Sequence, residues 1–132
     1  MARKVERKKI LLVDDDEIHL TIAEMILSEK YEIVTAKSGT EAMAYFHQGK
    51  FPNLVLLDLL MPDMDGWETF NRLKAISFLQ SIPIVFLTSV TEKNEEEHAR
   101  EIGAADFIIK PFERDYLLKR VRKILKKYEV KK

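Results

Sequence analysis

The sequence predicts an α/β fold in three layers, a five-stranded parallel sheet covered by five helices. The first observation is a set of four short runs of large apolar residues, at positions 10–13, 54–57, 84–87 and 107–109, which are typical of strands buried on both faces. The second is that segments with helical periodicity alternate with the strands. Such alternation indicates right-handed βαβ crossovers, for which the compact strand order is 2-1-3-4-5.

The first half of the chain supplies two strands and two helices. Asp16 is placed as the N-cap of the first helix. The apolar residues that recur after it at helical spacing are Ile18, Ile22, Met25 and Ile26. Residues 31–36 alternate as a strand does. Ser38 and Glu41 have the spacing of a capping box, and Gly49 is placed to end the second helix.

The second half of the chain continues the alternation. A loop at 61–66 precedes a helix whose apolar face is made of Trp67, Phe70, Leu73 and Ile76. Positions 91–102 are helical in pattern but rich in glutamate, so we expect this helix to be the most loosely held, with Gly103 as its C-cap. The last helix has the apolar stripe Leu117, Val121, Ile124, Leu125 and Tyr128.

Size and composition fit one domain of a cytoplasmic protein. The 132 residues, 46% of them hydrophobic, are enough for a single core. The 22 basic and 22 acidic residues cancel, so net charge gives no argument for direct nucleic-acid binding. The absence of cysteine excludes a disulfide framework, and no apolar run is long enough for a membrane span or a signal peptide.

Polar residues stand where the apolar runs end. They are Asp14 and Asp15 after the first strand, Asp58 after the third, Thr88 after the fourth and Lys110 after the fifth. Ligands of open α/β sheets bind in the crevice beyond the carboxyl ends of the strands. We therefore expect these side chains to converge in one acidic pocket that contains one cation.

Three carboxylates in one pocket need a counterion, because unit charges about 4 Å apart repel by about 4 kcal/mol at an effective dielectric of about 20. Magnesium prefers one or two carboxylates together with waters and a substrate phosphate. We therefore expect Mg²⁺, with Asp15 and Asp58 as side-chain ligands and Asp14 close by. The backbone carbonyl of Leu60 would be the remaining metal ligand that the protein supplies. The alternatives are a calcium site or acidic loops without a metal.

Asp58 is the best-placed nucleophile because it stands alone at the end of the most apolar strand. A carboxylate beside a metal can attack phosphorus and form an aspartyl phosphate. Thr88 can donate a hydroxyl hydrogen bond to a phosphoryl oxygen, and Lys110 can pair with the anion as a compact charge. No turnover of an external substrate is expected.

Four segments resemble the receiver domain of two-component response regulators. They are residues 11–16 (LLVDDD), 56–66 (LLDLLMPDMDG), 88–89 (TS) and 103–111 (GAADFIIKP). The resemblance covers residues 8–126 and leaves 1–7 and 127–132 as basic extensions. It implies a flavodoxin-like fold and phosphoryl transfer to Asp58 from a sensor histidine kinase or a phosphotransfer protein. It casts Asp14 and Asp15 as metal-site residues, and Thr88 and Lys110 as phosphate contacts.

The same resemblance implies a switch. Thr88 would move toward the phosphoryl group while Phe107 rotates inward, and the weakly anchored helix at 91–102 is suited to follow. The family more often has a polar ring at the position of Phe107, so the packing part of the switch is kept and its polar contact is lost. The resemblance also implies a cis peptide bond between Lys110 and Pro111.

Leu60 and Val90 bear on how long the phosphoryl group persists. They stand two positions after Asp58 and Thr88, and both are apolar. Neither side chain can orient an attacking water, so we expect slow hydrolysis compared with a Leu60→Asn, Val90→Glu variant.

Four other ring-bearing residues receive structural interpretations. His19, His47 and His98 lack the spacing of metal ligands and are interpreted as surface residues. Trp67 is interpreted as a packing residue. The basic outer side of the last helix could serve as a docking surface or in a phosphorylation-dependent homodimer.

Three other classes of protein fit less well. A phosphatase of the haloacid-dehalogenase type uses an acid two residues after its nucleophile, where this chain has Leu60. A true flavodoxin cradles phosphate with hydroxyls and glycine amides, whereas residues 14–17 are all acidic. A degenerate receiver that only binds partners would lack a site residue, and none is missing.

The downstream output protein cannot be identified from the sequence. A single-domain regulator, a relay shuttle and a fragment of a larger regulator or hybrid kinase stay open, and Met1 favours a native N-terminus.

Overall fold

The computed structural model describes residues 7–59, 61, 64–76, 81–89 and 93–129. The strands in these segments are β1 (Lys9–Val13), β2 (Glu32–Ala36), β3 (Leu54–Leu57), β4 (Ile84–Thr88) and β5 (Asp106–Ile109). They form one parallel sheet in the order β2-β1-β3-β4-β5. The predicted fold class and strand order are confirmed.

A helix follows each strand. The helices are α1 (Glu17–Leu27), α2 (Gly39–His47), α3 (Gly66–Ala75), α4 (Lys93–Glu101) and α5 (Arg114–Lys127). Among the described segments, no helix has both the length and the apolar character that a membrane crossing needs.

The alternating residues of the strands divide the core into two layers. Leu11 and Phe86 face a layer formed with α2, α3 and α4. Leu12 and Val85 face the opposite layer, formed with α1 and α5. Because β3 and β4 are buried on both faces along their whole length, their sequences are continuous apolar runs. Each such large side chain, once fully buried, stabilises the fold by about 1.5–3 kcal/mol.

Helix α1 forms where predicted, and three of the four apolar residues whose spacing predicts it lie on its exposed side. These three residues are Ile18 (70%), Ile22 (46%) and Met25 (68%). The residues that α1 buries against the sheet are Leu20, Ala23 and Leu27. Both sets have helical spacing, so periodicity predicts the helix without fixing which face is buried.

The ends of α2 follow the predicted capping signals. The Ser38 hydroxyl accepts a hydrogen bond from the Glu41 backbone N–H at 3.0 Å. The Glu41 carboxylate accepts one from the backbone N–H of Lys37 at 2.9 Å. At the other end Gly49 has a φ of 77°, a left-handed conformation that favours glycine, and its N–H donates to the carbonyl of Phe46 at 2.9 Å.

Helix α4 buries little of its surface, as its composition predicts. Ala99 is fully buried, while the glutamates around it are half-buried or exposed. Gly103 ends this region with a φ of 96°, and its N–H donates to the carbonyl of Arg100 at 3.1 Å. Positions 91 and 92, the predicted start of the helix, lie outside the described residues.

Candidate functional site

Four buried polar residues lie at the carboxyl ends of neighbouring strands. Asp14 follows β1, Asp58 follows β3, Thr88 ends β4 and Lys110 follows β5. Their exposed fractions are 6%, 7%, 0% and 8%. Buried charged residues are rare unless they are paired or bind a ligand, so this edge of the sheet is the candidate site.

Backbone hydrogen bonds extend the sheet by one residue and thereby fix three of these positions. The N–H of Asp14 donates to the carbonyl of Ala36 at 3.0 Å, and the N–H of Asp58 donates to that of Val13 at 2.9 Å. The N–H of Lys110 donates to the carbonyl of Thr88 at 2.8 Å. The side chains therefore start from rigid backbone, which is the condition for a preorganised site.

Three carboxylates meet in this site. Oxygens of Asp14, Asp15 and Asp58 all lie within 4.8 Å of one another. Asp15 is exposed, so the cluster opens to solvent on one side. Carboxylate oxygens at this spacing are the donors that a hard divalent cation such as Mg²⁺ or Ca²⁺ prefers. The residues present therefore fit a metal of this class.

Lys110 supplies positive charge to the cluster. Its Nζ atom forms a short ion pair with Asp14 Oδ2 and lies 3.7 Å from Asp58 Oδ2. The side chains of this trio are nearly buried, so water screens their charges less than it would at the surface. The ammonium offsets part of the mutual repulsion of the carboxylates while leaving the cluster net negative.

The residues at the start of α1 are hydrogen-bonded to the same cluster. Asp14 Oδ1 accepts a hydrogen bond from the Asp16 backbone N–H at 3.0 Å. Asp16, the predicted N-cap, accepts from the N–H groups of Ile18 at 2.9 Å and His19 at 3.2 Å. The hydrogen bond from the backbone of His19 lowers the pKa of the Asp16 carboxyl below its usual value. The cap is therefore ionised at neutral pH.

His19 belongs to the site, which the sequence interpretation as a surface residue missed. Its Nδ1 atom lies 3.1 Å from Lys110 Nζ, although the two residues are 91 positions apart. The position of His19 in the first turn after Asp15 was the one available signal. Without a structure, nothing in the spacing distinguished it from His47 and His98.

The predicted switch residue Phe107 is buried, with 6% of its surface exposed. Its ring centroid lies 6.3 Å from that of Phe86, which contacts Trp67 at 4.9 Å. Trp67 in turn meets the ring of His98 on α4 at 4.5 Å, edge to face. Trp67 is thus a packing residue, and a row of rings joins β5 to α4.

Two further predictions concern the edge of the site. The peptide bond between Lys110 and Pro111 is cis, the isomer that the resemblance implies. Leu60, with its proposed carbonyl ligand, and Val90 lie outside the described residues.

Comparisons with known proteins agree with this geometry. A family model described as "Response regulator receiver domain" matches residues 10–122. A curated protein of Cyanophora paradoxa named "Probable transcriptional regulator ycf27" is 39% identical over 127 residues, which make up 96% of this chain and 52% of that protein. The chain spans about half the length of the curated relatives of this kind that it matches.

Two solved structures have the same fold. A CheY-like response regulator receiver domain protein of Methanospirillum hungatei gives a TM-score of 0.83 at 30% identity, covering 93% of this chain and 97% of that one. The signal receiver domain of a signal transduction histidine kinase of Syntrophus aciditrophicus gives 0.83 at 31%, covering 95% of each chain. Together with the match over residues 10–122, they show that this chain belongs to the response-regulator receiver domains of two-component signalling.

Proposed function

We propose that residues 8–126 form a receiver that accepts a phosphoryl group on Asp58 from a sensor histidine kinase or a phosphotransfer protein. The observation that carries this proposal is the position of the Asp58 carboxylate. It stands buried at the end of the central strand, 3.7 Å from the Lys110 ammonium and within 4.8 Å of the Asp14 and Asp15 carboxylates. A nucleophile, a cation and acidic metal donors therefore share one rigid site. A cytoplasmic location stays a prediction from the sequence.

The proposed step balances without a further reactant. An Asp58 carboxylate oxygen attacks the phosphorus of a phosphohistidine, and the new O–P bond forms as the P–N bond breaks. The electron pair stays with the histidine nitrogen, which takes up a proton. Lys110 then pairs with the phosphoryl oxygens, and the hydroxyl of Thr88 donates a hydrogen bond to one of them.

Asp14, Asp15 and Asp58 would hold Mg²⁺ in this proposal. Bound Mg²⁺ would neutralise the carboxylates and withdraw charge from the transferring oxygens. The carbonyl of Leu60 stays a predicted ligand. The protein's own part is to keep the three carboxylates together against their repulsion, which the backbone bonds of Asp14 and Asp58 do.

The switch proposal rests on Thr88 and Phe107. Movement of the buried Thr88 toward a phosphoryl oxygen would empty space on the α4 side of β4, into which Phe107 rotates. The ring contacts from Phe107 through Phe86 and Trp67 to His98 offer a physical route for that change to α4. The low burial of α4 makes it the element that moves at least cost.

The proposed phosphodonor docks on α1. Ile18, Ile22 and Met25, here called the α1 patch, expose apolar surface next to the site. A cavity of about 370 Å³ lies between the α1 patch and the β5–α5 connection, and Lys110 forms part of its wall. A partner that delivers phosphohistidine to Asp58 must approach beside Lys110, so its neighbouring apolar side chains would cover the α1 patch.

Ile22→Glu is expected to slow phosphorylation by a protein phosphodonor without slowing phosphorylation by the small molecule acetyl phosphate. A charge in the α1 patch should slow transfer from phosphorylated histidine phosphotransfer domains at least tenfold, because central apolar contacts carry about 2 kcal/mol or more of binding. Phosphorylation by acetyl phosphate, which needs no docking surface, should be unchanged. Tyr128→Glu, also at an exposed apolar residue, is the control. Equal transfer rates for Ile22→Glu and wild type would remove α1 from the interface.

Gly66→Ala tests how tightly α3 holds the acceptor. A Cβ atom at residue 66 would lie 2.4 Å from the carbonyl oxygen of Asp58 and 2.5 Å from Cα of Leu59. We expect the variant to lose about 1–3 kcal/mol of unfolding free energy and to be phosphorylated more slowly, because the backbone of the acceptor must shift. Both effects can be measured by urea unfolding and intact mass.

Gly39→Ala is the matched control for Gly66→Ala. Its Cβ would lie 2.2 Å from Oγ1 of Thr69, so it would press on a side chain of α3 and not on the backbone of Asp58. It should lose stability while its folded fraction keeps the wild-type phosphorylation rate. If both variants lost phosphorylation in equal measure, the effect of Gly66→Ala would be general and not local.

The direct test is incubation with acetyl phosphate, with Mg²⁺ or with a chelator, followed by intact mass spectrometry. One phosphoryl adduct that forms only with the metal is expected. No adduct under either condition, or uptake that is indifferent to the metal, would contradict the proposal.

A further inference from the structure

His19 lies against the ammonium group on which the proposed phosphoryl transfer depends. Its Nδ1 atom is 3.1 Å from Lys110 Nζ, within hydrogen-bond distance. The nearest carboxylate oxygens to Nδ1 are Oδ2 of Asp16 at 3.7 Å and Oδ2 of Asp14 at 3.9 Å, beyond that distance. The polar contact of the imidazole is therefore with the lysine.

The chemistry of the two groups decides the direction of this hydrogen bond. A lysine ammonium has three N–H donors and no acceptor. A hydrogen bond at this contact therefore requires Nδ1 of His19 to present its lone pair, with the ring proton on Nε2. The backbone of His19 is held as well, because its N–H donates to the capping carboxylate of Asp16. The hydrogen bond thus places the imidazole as an acceptor on the α1 side of Lys110.

We propose that His19 is a positioning residue for Lys110, an inference that rests on the proposed function. Lys110 Nζ contacts Asp14 and His19, while it stays 3.7 Å from the carboxylate of Asp58. This arrangement holds the ammonium close enough to meet an incoming phosphoryl oxygen, in an ion pair with the nucleophile but beyond hydrogen-bond distance from it. Without the acceptor on α1, only the ion pair with Asp14 would oppose movement of the ammonium toward Asp58. A closer ion pair with Lys110 would reduce the nucleophilicity of the Asp58 carboxylate, because its lone pairs would be engaged by the ammonium.

The test compares His19→Leu with His19→Asn. Leucine fills the space of the ring without an acceptor, whereas the side-chain oxygen of asparagine stands close to the position of Nδ1. Phosphorylation by acetyl phosphate with Mg²⁺ should slow about three- to tenfold in His19→Leu, the range expected for the loss of one hydrogen bond of ordinary net strength. His19→Asn should keep most of the rate. His47→Leu, at an exposed residue of α2, should match wild type.

The rate comparison can also overturn the inference. Wild-type rates in both His19 variants would show that the contact with Lys110 has no part in the reaction. Equal losses in both variants would show that the ring acts through its shape and not through its lone pair.

A spectroscopic measurement separates this inference from the proposed function. In ¹⁵N-imidazole NMR spectra, recorded in mildly alkaline buffer, Nδ1 of His19 should carry no proton and Nε2 should carry one. That preference should weaken in Lys110→Met. If wild type took up no phosphoryl group, the proposed function would fail. The spectrum would still show whether Nδ1 of His19 accepts a hydrogen bond from Lys110. A proton on Nδ1 of His19 would overturn the positioning role by itself.

Discussion

The Asp58→Asn variant is expected to take up no phosphoryl group from acetyl phosphate with Mg²⁺, under conditions that modify wild type completely. The amide keeps the shape of the side chain, but its oxygen is a far weaker nucleophile than a carboxylate. Removing one negative charge from the cluster with Asp14 and Asp15 also relieves repulsion, so the variant should be at least as stable as wild type. Loss of the adduct could then not be attributed to unfolding.

Asp115→Asn is the matched control for this experiment. Asp115 lies on α5 with 88% of its side chain exposed and takes no part in the carboxylate cluster. It should be phosphorylated at the wild-type rate. An adduct of wild-type yield on Asp58→Asn would show that another group is the acceptor.

Phe86→Ala should lower the free energy of unfolding by about 3–5 kcal/mol, the usual cost of removing a fully buried phenylalanine. The side chain of Phe86 has no exposed surface. Its ring lies 4.9 Å from Trp67, 5.4 Å from Phe70 and 6.3 Å from Phe107. Because domains are stable by only about 5–15 kcal/mol, this loss should shift the urea midpoint strongly.

Phe51→Ala provides the comparison for Phe86. Phe51 is 42% exposed and its ring contacts Phe46 at 6.0 Å. Truncating it should cost clearly less than truncating Phe86, because less apolar surface returns to water. Equal losses at the two positions would mean that the ring cluster around Phe86 adds nothing to the stability of the core.

The sheet could be predicted because nearly every residue of its central strands is apolar, which indicates burial on both faces. β3 and β4 are buried on both faces, so their sequences contain no polar residue until Thr88 ends β4. Asp58 directly follows the last apolar residue of β3. Because the strands are parallel, the polar residues at their carboxyl ends lie at the same edge of the sheet. The position of the site follows from the strand order together with the polar residues at the strand ends.

The orientation of α1 could not be predicted in the same way. Two apolar sets with helical spacing interleave on this helix, one containing Ile22 and the other Leu20. Only packing against β1 and α5 decides which set is buried. The exposed set contains the α1 patch, which is the proposed docking surface.

The contacts of His19 and Trp67 depend on tertiary structure. His19 meets Lys110 across 91 positions, and Trp67 meets His98 on α4. No local pattern encodes either contact, because each pairs residues from separate elements. The ring contact also gives α4 an attachment that its glutamate-rich sequence does not suggest.

The position of the phosphoryl group tests the proposed chemistry most directly. Borohydride reduction of an aspartyl phosphate yields homoserine, which can be located by mass spectrometry of peptides. After treatment with acetyl phosphate and Mg²⁺, homoserine is predicted at residue 58 alone. Homoserine at residue 14 or 15, or a phosphorylated chain that yields none, would contradict the assignment of Asp58 as the acceptor.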